Sequence, residues 1–205
     1  VMSLENTWAV NDLEHVEIDA ALDRLVEGIQ AEAMFTVRGQ GQGGFFPGTE
    51  EQRIAILDSA LARGIQWVDL EADIDESTRE GLVAKAREAK ISIVVSRHEA
   101  ATPGAEDIAT WVKDSAGHGD LVKFCSMISN PSDALQLVQA SLDLKDGDVE
   151  FSIMGLGQGG DWTRLHAPVM GQSLVYATMR TEYALKDEGR INVRDVRDAW
   201  QLLEY

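Results

Sequence analysis

ISIVVSR at residues 91–97 and LVKFCSM at residues 121–127 are two apolar runs with a helical pattern at residues 105–114 between them. Continuous apolar runs of this length are typical of strands that are buried on both faces of a parallel sheet. A strand, a helix and a second strand in this order form the unit that connects two parallel neighbours. These residues therefore predict an α/β fold.

The same alternation extends along the rest of the chain. Six more strands are predicted, at residues 1–4, 15–19, 33–38, 67–72, 149–155 and 174–179. Further helical patterns lie at residues 50–63, 76–89 and 131–144, with Thr49 and Asn130 placed as N-caps. Eight strands favour a closed (β/α)8 barrel of the TIM type over an open, doubly wound sheet.

The length of the chain suggests a short form of this barrel. Its 205 residues are near the lower end of the barrel range of about 200 to 400. Only about ten residues separate the first two predicted strands. We therefore predict one catalytic domain over residues 1–205, with the first barrel helix reduced or missing.

The composition limits the classes of partner and the compartment. The 35 acidic and 18 basic residues give a net charge of −17, which repels nucleic acid and anionic lipid. Residues 1–7 lack the pattern of a signal peptide, and no apolar run is long enough for a membrane span, so we expect a cytoplasmic protein. The acidity suggests either adaptation to high salt or an ordinary acidic cytosolic protein.

Polar residues near the carboxyl ends of predicted strands are candidates for an active site, because the loops that follow barrel strands build such sites. Five residues meet this criterion: Arg38, Glu71, His98, Lys123 and Arg164. Arginine suits a carboxylate ligand, although an arginine and a glutamate at strand ends also commonly form an ion pair that only braces the barrel.

Lys123 is the most informative of these residues. Its neighbours Leu121, Val122 and Phe124 predict a desolvated lysine, which favours the neutral amine that attacks a carbonyl. The alternative is a lysine whose ammonium reaches water at a strand edge. His98, taken by itself, fits a structural histidine equally well.

Other patterns argue against a nucleotide cofactor and against a metal. The glycines at residues 155–160 superficially suggest a phosphate loop or a dinucleotide fingerprint, but no Walker lysine followed by serine or threonine accompanies them. The four histidines show no paired ligand spacing, and the single cysteine, Cys125, lies in an apolar run that indicates an inert buried thiol. We predict no metal and no cofactor.

Five motifs in order resemble type I 3-dehydroquinate dehydratase over nearly the whole chain. They are FTVR at 35–38 with QGG at 42–44; VDLE at 68–71; SRHE at 96–99 with Thr102-Pro103; DLVK at 120–123; and Met154-Gly155 with Arg164 and APVMG at 167–171. The resemblance implies an enzyme of the shikimate pathway that dehydrates 3-dehydroquinate to 3-dehydroshikimate.

The resemblance also implies roles for the candidate residues. Lys123 would form a Schiff base with the ring ketone, and His98 would transfer the proton. Glu71 would orient His98, Arg38 would bind substrate hydroxyls, and Arg164 would bind the carboxylate. A small-molecule substrate, no cofactor and a homodimer are expected on the same basis.

Two segments depart from the family pattern. His15 and Glu17 stand where the family has glutamate and arginine, and KDEGR at residues 186–190 replaces a Ser-Ala-Pro-Gly-Gln lid segment. Arg190 thus replaces the lid glutamine, and we predict that it reaches the substrate carboxylate. These departures keep two alternatives open: an aldolase-like Schiff-base enzyme acting on another small oxo acid, and a non-catalytic barrel that senses a metabolite.

Overall fold

The computed structural model describes residues 2–3, 17–179, 189 and 191–205. These residues belong to two compact units. The first unit contains the described residues within 1–96 and 118–120, and the second contains those within 97–117 and 121–205. Each unit is built from parallel strands and the helices that follow them.

The first unit contains four parallel strands paired in sequence order. Its elements are β1 (Met2–Ser3), α1 (Ile18–Gly28), β2 (Ala33–Phe35), α2 (Glu50–Leu61), β3 (Trp67–Glu71), α3 (Glu76–Glu88) and the first five residues of β4 (Ser92–Glu99). Residues 69 and 71 pair with residues 94 and 96, which fixes the register of β3 against β4.

Alternation along β3 separates an apolar core from a polar face. Val68 and Leu70 are fully buried in a cluster that includes Leu57 of α2 and Leu82 of α3. Because successive side chains of a strand point to opposite faces, Asp69 and Glu71 lie on the face away from this cluster. Burial of each large aliphatic side chain contributes about 1.5–3 kcal/mol, so the core sets which face receives the charged residues.

The helices begin where the sequence places capping residues. Thr49 accepts a hydrogen bond from the Gln52 amide, and Gln52 accepts one from the Thr49 amide, which together form a capping box at α2. The predicted helices at residues 50–63 and 76–89 are confirmed, with ends two residues and one residue earlier than expected.

The second unit is built around two parallel strands with six aligned residue pairs. Its elements are α4 (Ala105–Ser115), β5 (Leu121–Met127), α5 (Pro131–Leu144), β6 (Phe151–Leu156), α6 (Asp161–Leu165) and α7 (Val193–Leu202), together with the last three residues of β4. Asn130 caps α5 in a second capping box. Val122 and Phe124 of β5 pack in a cluster that includes Leu137 of α5 and Ile153 of β6.

Two predicted strands are not strands in the described residues. Ile18 and Asp19 belong to α1, because Ile18, Leu22 and Val26 form an apolar stripe with helical spacing that packs on the first core. Glu17 is the N-cap of α1, whereas residues 15–16 of that predicted strand and the expected reduction of the first helix lie outside the described residues. The single-domain prediction stays a prediction.

The predicted strand at residues 174–179 is irregular, with one isolated bridge between Thr178 and Asn192. Side chains, and not a neighbouring strand, donate hydrogen bonds to two of its main-chain carbonyls. Ser152 Oγ donates to the Leu174 carbonyl at 2.6 Å, and Arg164 Nε donates to the Tyr176 carbonyl at 2.9 Å. Among the described helices, none combines the length and the apolar character needed to cross a bilayer.

Candidate active site

Arg38, three residues beyond the end of β2, is the centre of a buried ion-pair network in the first unit. Its Nη2 donates to Asp69 Oδ2 at 2.8 Å, and its Nη1 donates to Glu71 Oε1 at 2.9 Å and to Ser96 Oγ at 3.1 Å. Ser96 Oγ also donates to Asp69 Oδ1. The structure therefore brings Arg38 and Glu71 together, as the bracing alternative predicted, and the role of Arg38 toward substrate hydroxyls stays a prediction.

Glu71, at the end of β3, is held by three donors. Besides Arg38, the Gly39 amide donates to Oε2 at 2.9 Å, and Arg53 Nη1 donates to the same oxygen at 2.5 Å. Burial raises the pKa of Glu71, and the two arginines and the Gly39 amide only partly oppose that effect. The predicted role of Glu71 in orienting His98 stays a prediction.

Arg53 completes this network and was not among the site residues predicted from the sequence. It lies in α2, where Nη1 donates to the Val37 carbonyl at 3.0 Å and both Nε and Nη2 donate to Glu50 at 2.7 Å. Burial opposes the charge of Arg53, but the carboxylates of Glu50 and Glu71 outweigh it and raise the pKa of Arg53. A sequence signal existed, because Arg53 has helical spacing with the buried Ile56, Leu57 and Ala60.

Two glycines shape the loop that follows Arg38. Gly43 has φ of 77° and ends a 3-10 turn at Gln40–Gln42, and the Gly44 amide donates to the Gly39 carbonyl at 2.9 Å. A Cβ on Gly44 would lie 2.1 Å from the Arg38 carbonyl oxygen. The Gly-Gly pair of the QGG motif is therefore needed for the main chain to turn closely over Arg38.

Lys123 is the third residue of β5 in the second unit and is 2% exposed. Its neighbours Val122 and Phe124 face the apolar core, so Lys123 points to the opposite face of the strand. Its Nζ lies 4.1 Å from the centroid of the Tyr176 ring. Burial of Lys123 confirms the predicted desolvation and argues against a lysine that reaches water.

Arg164 lies in the short helix α6 and is also 2% exposed. Its Nη1 donates to the carbonyls of Gly155 at 2.8 Å and Gly160 at 2.7 Å, and its Nε donates to the Tyr176 carbonyl at 2.9 Å. Arg164 thus fixes the glycine-containing turn after β6 and also the residue whose ring faces Lys123. Its predicted contact with a substrate carboxylate stays a prediction.

His98 lies within β4, which continues to Glu99, so it does not follow the strand as expected. It is half-buried. The next loop is tied to β5, because Thr102 Oγ1 lies 2.9 Å from Ser126 Oγ and donates to the Met127 carbonyl at 2.9 Å. This contact gives the Thr102-Pro103 motif a structural role in fixing the segment after His98.

Cys125 is buried, as expected of an inert thiol. Within the described part of the chain, no three His, Cys, Asp or Glu residues are grouped as metal ligands. Arg190, His15 and Lys186 lie outside the described residues, so the predicted contact of Arg190 with the substrate carboxylate stays a prediction.

Comparison with known proteins identifies close sequence similarity to one family. The family model for type I 3-dehydroquinase matches residues 7–205. The 3-dehydroquinate dehydratase of Methanococcoides burtonii is 32% identical over 188 residues, which cover 90% of this chain and 77% of that protein. The corresponding protein of Methanosarcina mazei is 26% identical over 201 residues, 94% of this chain and 83% of its own length.

Solved structures agree with this result. The type I 3-dehydroquinate dehydratase of Clostridium difficile, determined with covalently modified comenic acid, matches with a TM-score of 0.83 at 22% identity, over 91% of this chain and 75% of that chain. The 3-dehydroquinate dehydratase of Geobacillus kaustophilus matches with a TM-score of 0.82 at 25% identity, over 96% and 76%.

These structures confirm the predicted (β/α) barrel class. The family match extends across nearly all of the sequence, including each of the five motifs. The chain belongs to the type I 3-dehydroquinase family.

Proposed function

We propose that this chain is a hydro-lyase that dehydrates 3-dehydroquinate to 3-dehydroshikimate through a Schiff base at Lys123. Family membership supports the reaction. The observation that carries the assignment of the nucleophile is the burial of Lys123 within an otherwise apolar stretch of β5. An ammonium in such a place is costly, which makes a purely structural lysine a poor explanation.

The first half of the proposed reaction forms a covalent intermediate. Lys123 Nζ attacks the ring ketone, and loss of water gives an iminium. The iminium withdraws electrons from the neighbouring carbon and so acidifies its C–H bond. Covalent catalysis of this kind divides one high barrier into smaller ones.

The second half eliminates water and releases the product. His98 removes the proton from the acidified carbon, and the electron pair of that bond first forms a neutral enamine. His98 then returns the proton to the hydroxyl on the next carbon, which leaves as water while a C=C bond forms and the iminium is restored. Hydrolysis of the iminium frees Lys123, so the net products are 3-dehydroshikimate and one water.

Arg164 is proposed to attract the substrate carboxylate. A protein with a net charge of −17 repels an anionic substrate at long range, so a fixed local cation is needed. The three carbonyl contacts of Arg164 restrict its side chain, which lowers the entropy lost when a ligand binds.

We also propose a cytoplasmic location and a homodimer, with no nucleic-acid or membrane partner. The acidity of the chain supports the last two points, because polyanions and anionic lipids repel a protein with this charge. Sedimentation at several protein concentrations tests the homodimer, and a monomer at all of them would contradict it.

Trapping with borohydride tests the function. The protein is mixed with 3-dehydroquinate and borohydride, and its intact mass is compared with that of Lys123→Ala. Lys113→Ala is the matched control, because Lys113 is exposed on α4. We expect a ligand-sized adduct on the wild type and on Lys113→Ala only, together with formation of 3-dehydroshikimate.

Other outcomes would favour the alternatives. An adduct at Lys123 without 3-dehydroshikimate would point to an aldolase-like enzyme with another oxo acid as its substrate. Calorimetric binding of 3-dehydroquinate with neither adduct nor product would point to a metabolite sensor.

A further inference from the structure

We infer that Tyr176 is a positioning residue whose ring face stabilises the positively charged nitrogen of a Schiff base at Lys123. The inference rests on the proposed Schiff base and adds a residue that acts through the lysine. Its basis is the placement of Lys123 Nζ at 4.1 Å from the centroid of the Tyr176 ring. This distance is well within the range of about 6 Å over which a cation interacts with an aromatic face.

The position of Tyr176 is set by groups other than Lys123. Arg164 Nε donates to its carbonyl at 2.9 Å, and its amide donates to Met154 Sδ at 3.5 Å. Two residues earlier, the Leu174 carbonyl accepts from Ser152 Oγ at 2.6 Å. These contacts bind the main chain of the segment to β6 and α6, so the backbone of Tyr176 is fixed by groups of the protein itself.

The position of the Tyr176 ring near Lys123 Nζ stabilises one intermediate of the reaction more than another. An aromatic face carries a partial negative charge and attracts a cation. The iminium has a positive nitrogen at the position of Lys123 Nζ, whereas the carbinolamine that precedes it has a neutral nitrogen. The ring therefore favours accumulation of the iminium over its neutral precursor, in a buried place where this attraction is stronger than in water.

Trapping with glyoxylate, the smallest oxo acid with a reactive aldehyde, tests the inference separately from dehydratase activity. Wild type, Tyr176→Phe and Tyr176→Leu are incubated with glyoxylate and borohydride, and the carboxymethyl adduct at Lys123 is quantified by peptide mass. Lys123→Ala gives the background. Tyr205→Leu is the control for loss of an exposed aromatic residue, and melting curves check that each variant is folded.

We expect Tyr176→Phe to retain the adduct and Tyr176→Leu to lose about two- to thirty-fold, the equivalent of about 0.5–2 kcal/mol of cation–π stabilisation. Phenylalanine with increasing ring fluorination, introduced at position 176, should lower the adduct stepwise, because fluorine weakens the negative face at nearly constant shape. Tyr205→Leu should match the wild type.

Among the variants, three results would overturn the inference: equal adduct in wild type and Tyr176→Leu, no response to fluorination, or equal losses in Tyr176→Phe and Tyr176→Leu. The last would assign the effect to the hydroxyl. Absence of any wild-type adduct at Lys123 would also overturn it. A ring-dependent adduct without conversion of 3-dehydroquinate would support the inference while rejecting the proposed dehydratase activity.

Discussion

Arg53 of α2 reaches Glu71 at the end of β3, with Nη1 2.5 Å from Oε2, and both side chains are buried. This contact links α2 to β3, whose Asp69 and Glu71 accept hydrogen bonds from Arg38. Removal of one partner from a buried ion pair leaves a charge that is poorly compensated.

We therefore expect Arg53→Met to lower the free energy of unfolding by about 3 kcal/mol, within the range for disruption of a buried pair. Chemical denaturation measures this change. Lys85→Met is the matched control, because it breaks the exposed Lys85–Asp58 pair and should cost at most about 1 kcal/mol. Similar losses in both variants would show that the contact between Arg53 and Glu71 is not a special stabiliser.

Glu71 should make stability depend on pH in the direction opposite to an ordinary ion-paired carboxylate. Its pKa in the folded protein is raised, chiefly by burial, so the folded state binds the proton more tightly than the unfolded state. The stability that this group contributes is present below its ordinary value of 4.5 and is lost as pH rises through the higher folded value.

Denaturation of wild type and Glu71→Gln over a pH series isolates this contribution. The stability of the wild type relative to Glu71→Gln should fall as pH rises above 4.5, and the difference should then become constant. A difference that grows with pH over the same interval would mean that Arg38 and Arg53 outweigh burial.

Gly44 should not tolerate a side chain. A Cβ there would lie 2.1 Å from the Arg38 carbonyl oxygen, so Gly44→Ala should displace the loop and lower the melting temperature and the catalytic rate together. Gly28→Ala, at the end of α1, is the control, because nothing lies within 4 Å of its added Cβ. That change should be neutral or should stabilise the protein by up to about 1 kcal/mol.

Lys123→Met should separate stability from activity. The change replaces a buried amine with an apolar side chain of similar length, so the melting temperature should stay the same or rise. Conversion of 3-dehydroquinate should fall by at least about a thousandfold. Lys113→Met, on the exposed surface of α4, should change neither quantity, and substantial turnover by Lys123→Met would remove the lysine from the mechanism.

Salt should stabilise the protein if its acidity reflects adaptation to high salt. The net charge of −17 makes the folded chain repel itself, and the Debye length falls from about 10 Å at 0.1 M salt to about 3 Å at 1 M. We expect the melting temperature to increase across a potassium chloride series. An unchanged or lower melting temperature at high salt would indicate an ordinary acidic protein.

The sequence by itself determined helices α2 to α5, the central strands and the burial of Lys123. The predicted helix at residues 131–144 has the bounds that the structure shows, because Asn130, Pro131 and the apolar spacing are local signals. Lys123 was identified in the same way, since its immediate neighbours in β5 place it inside the sheet.

Tertiary structure decided which distant side chains meet. Arg53 and Glu71 are 18 residues apart, and Tyr176 lies far along the chain from Lys123, so periodicity carries no information about either contact. The same holds for residues 174–179, whose composition favours a strand but whose main chain is bound by Ser152 and Arg164. Local patterns depend on neighbouring residues, whereas a site depends on side chains that only the folded chain brings within hydrogen-bonding or van der Waals distance.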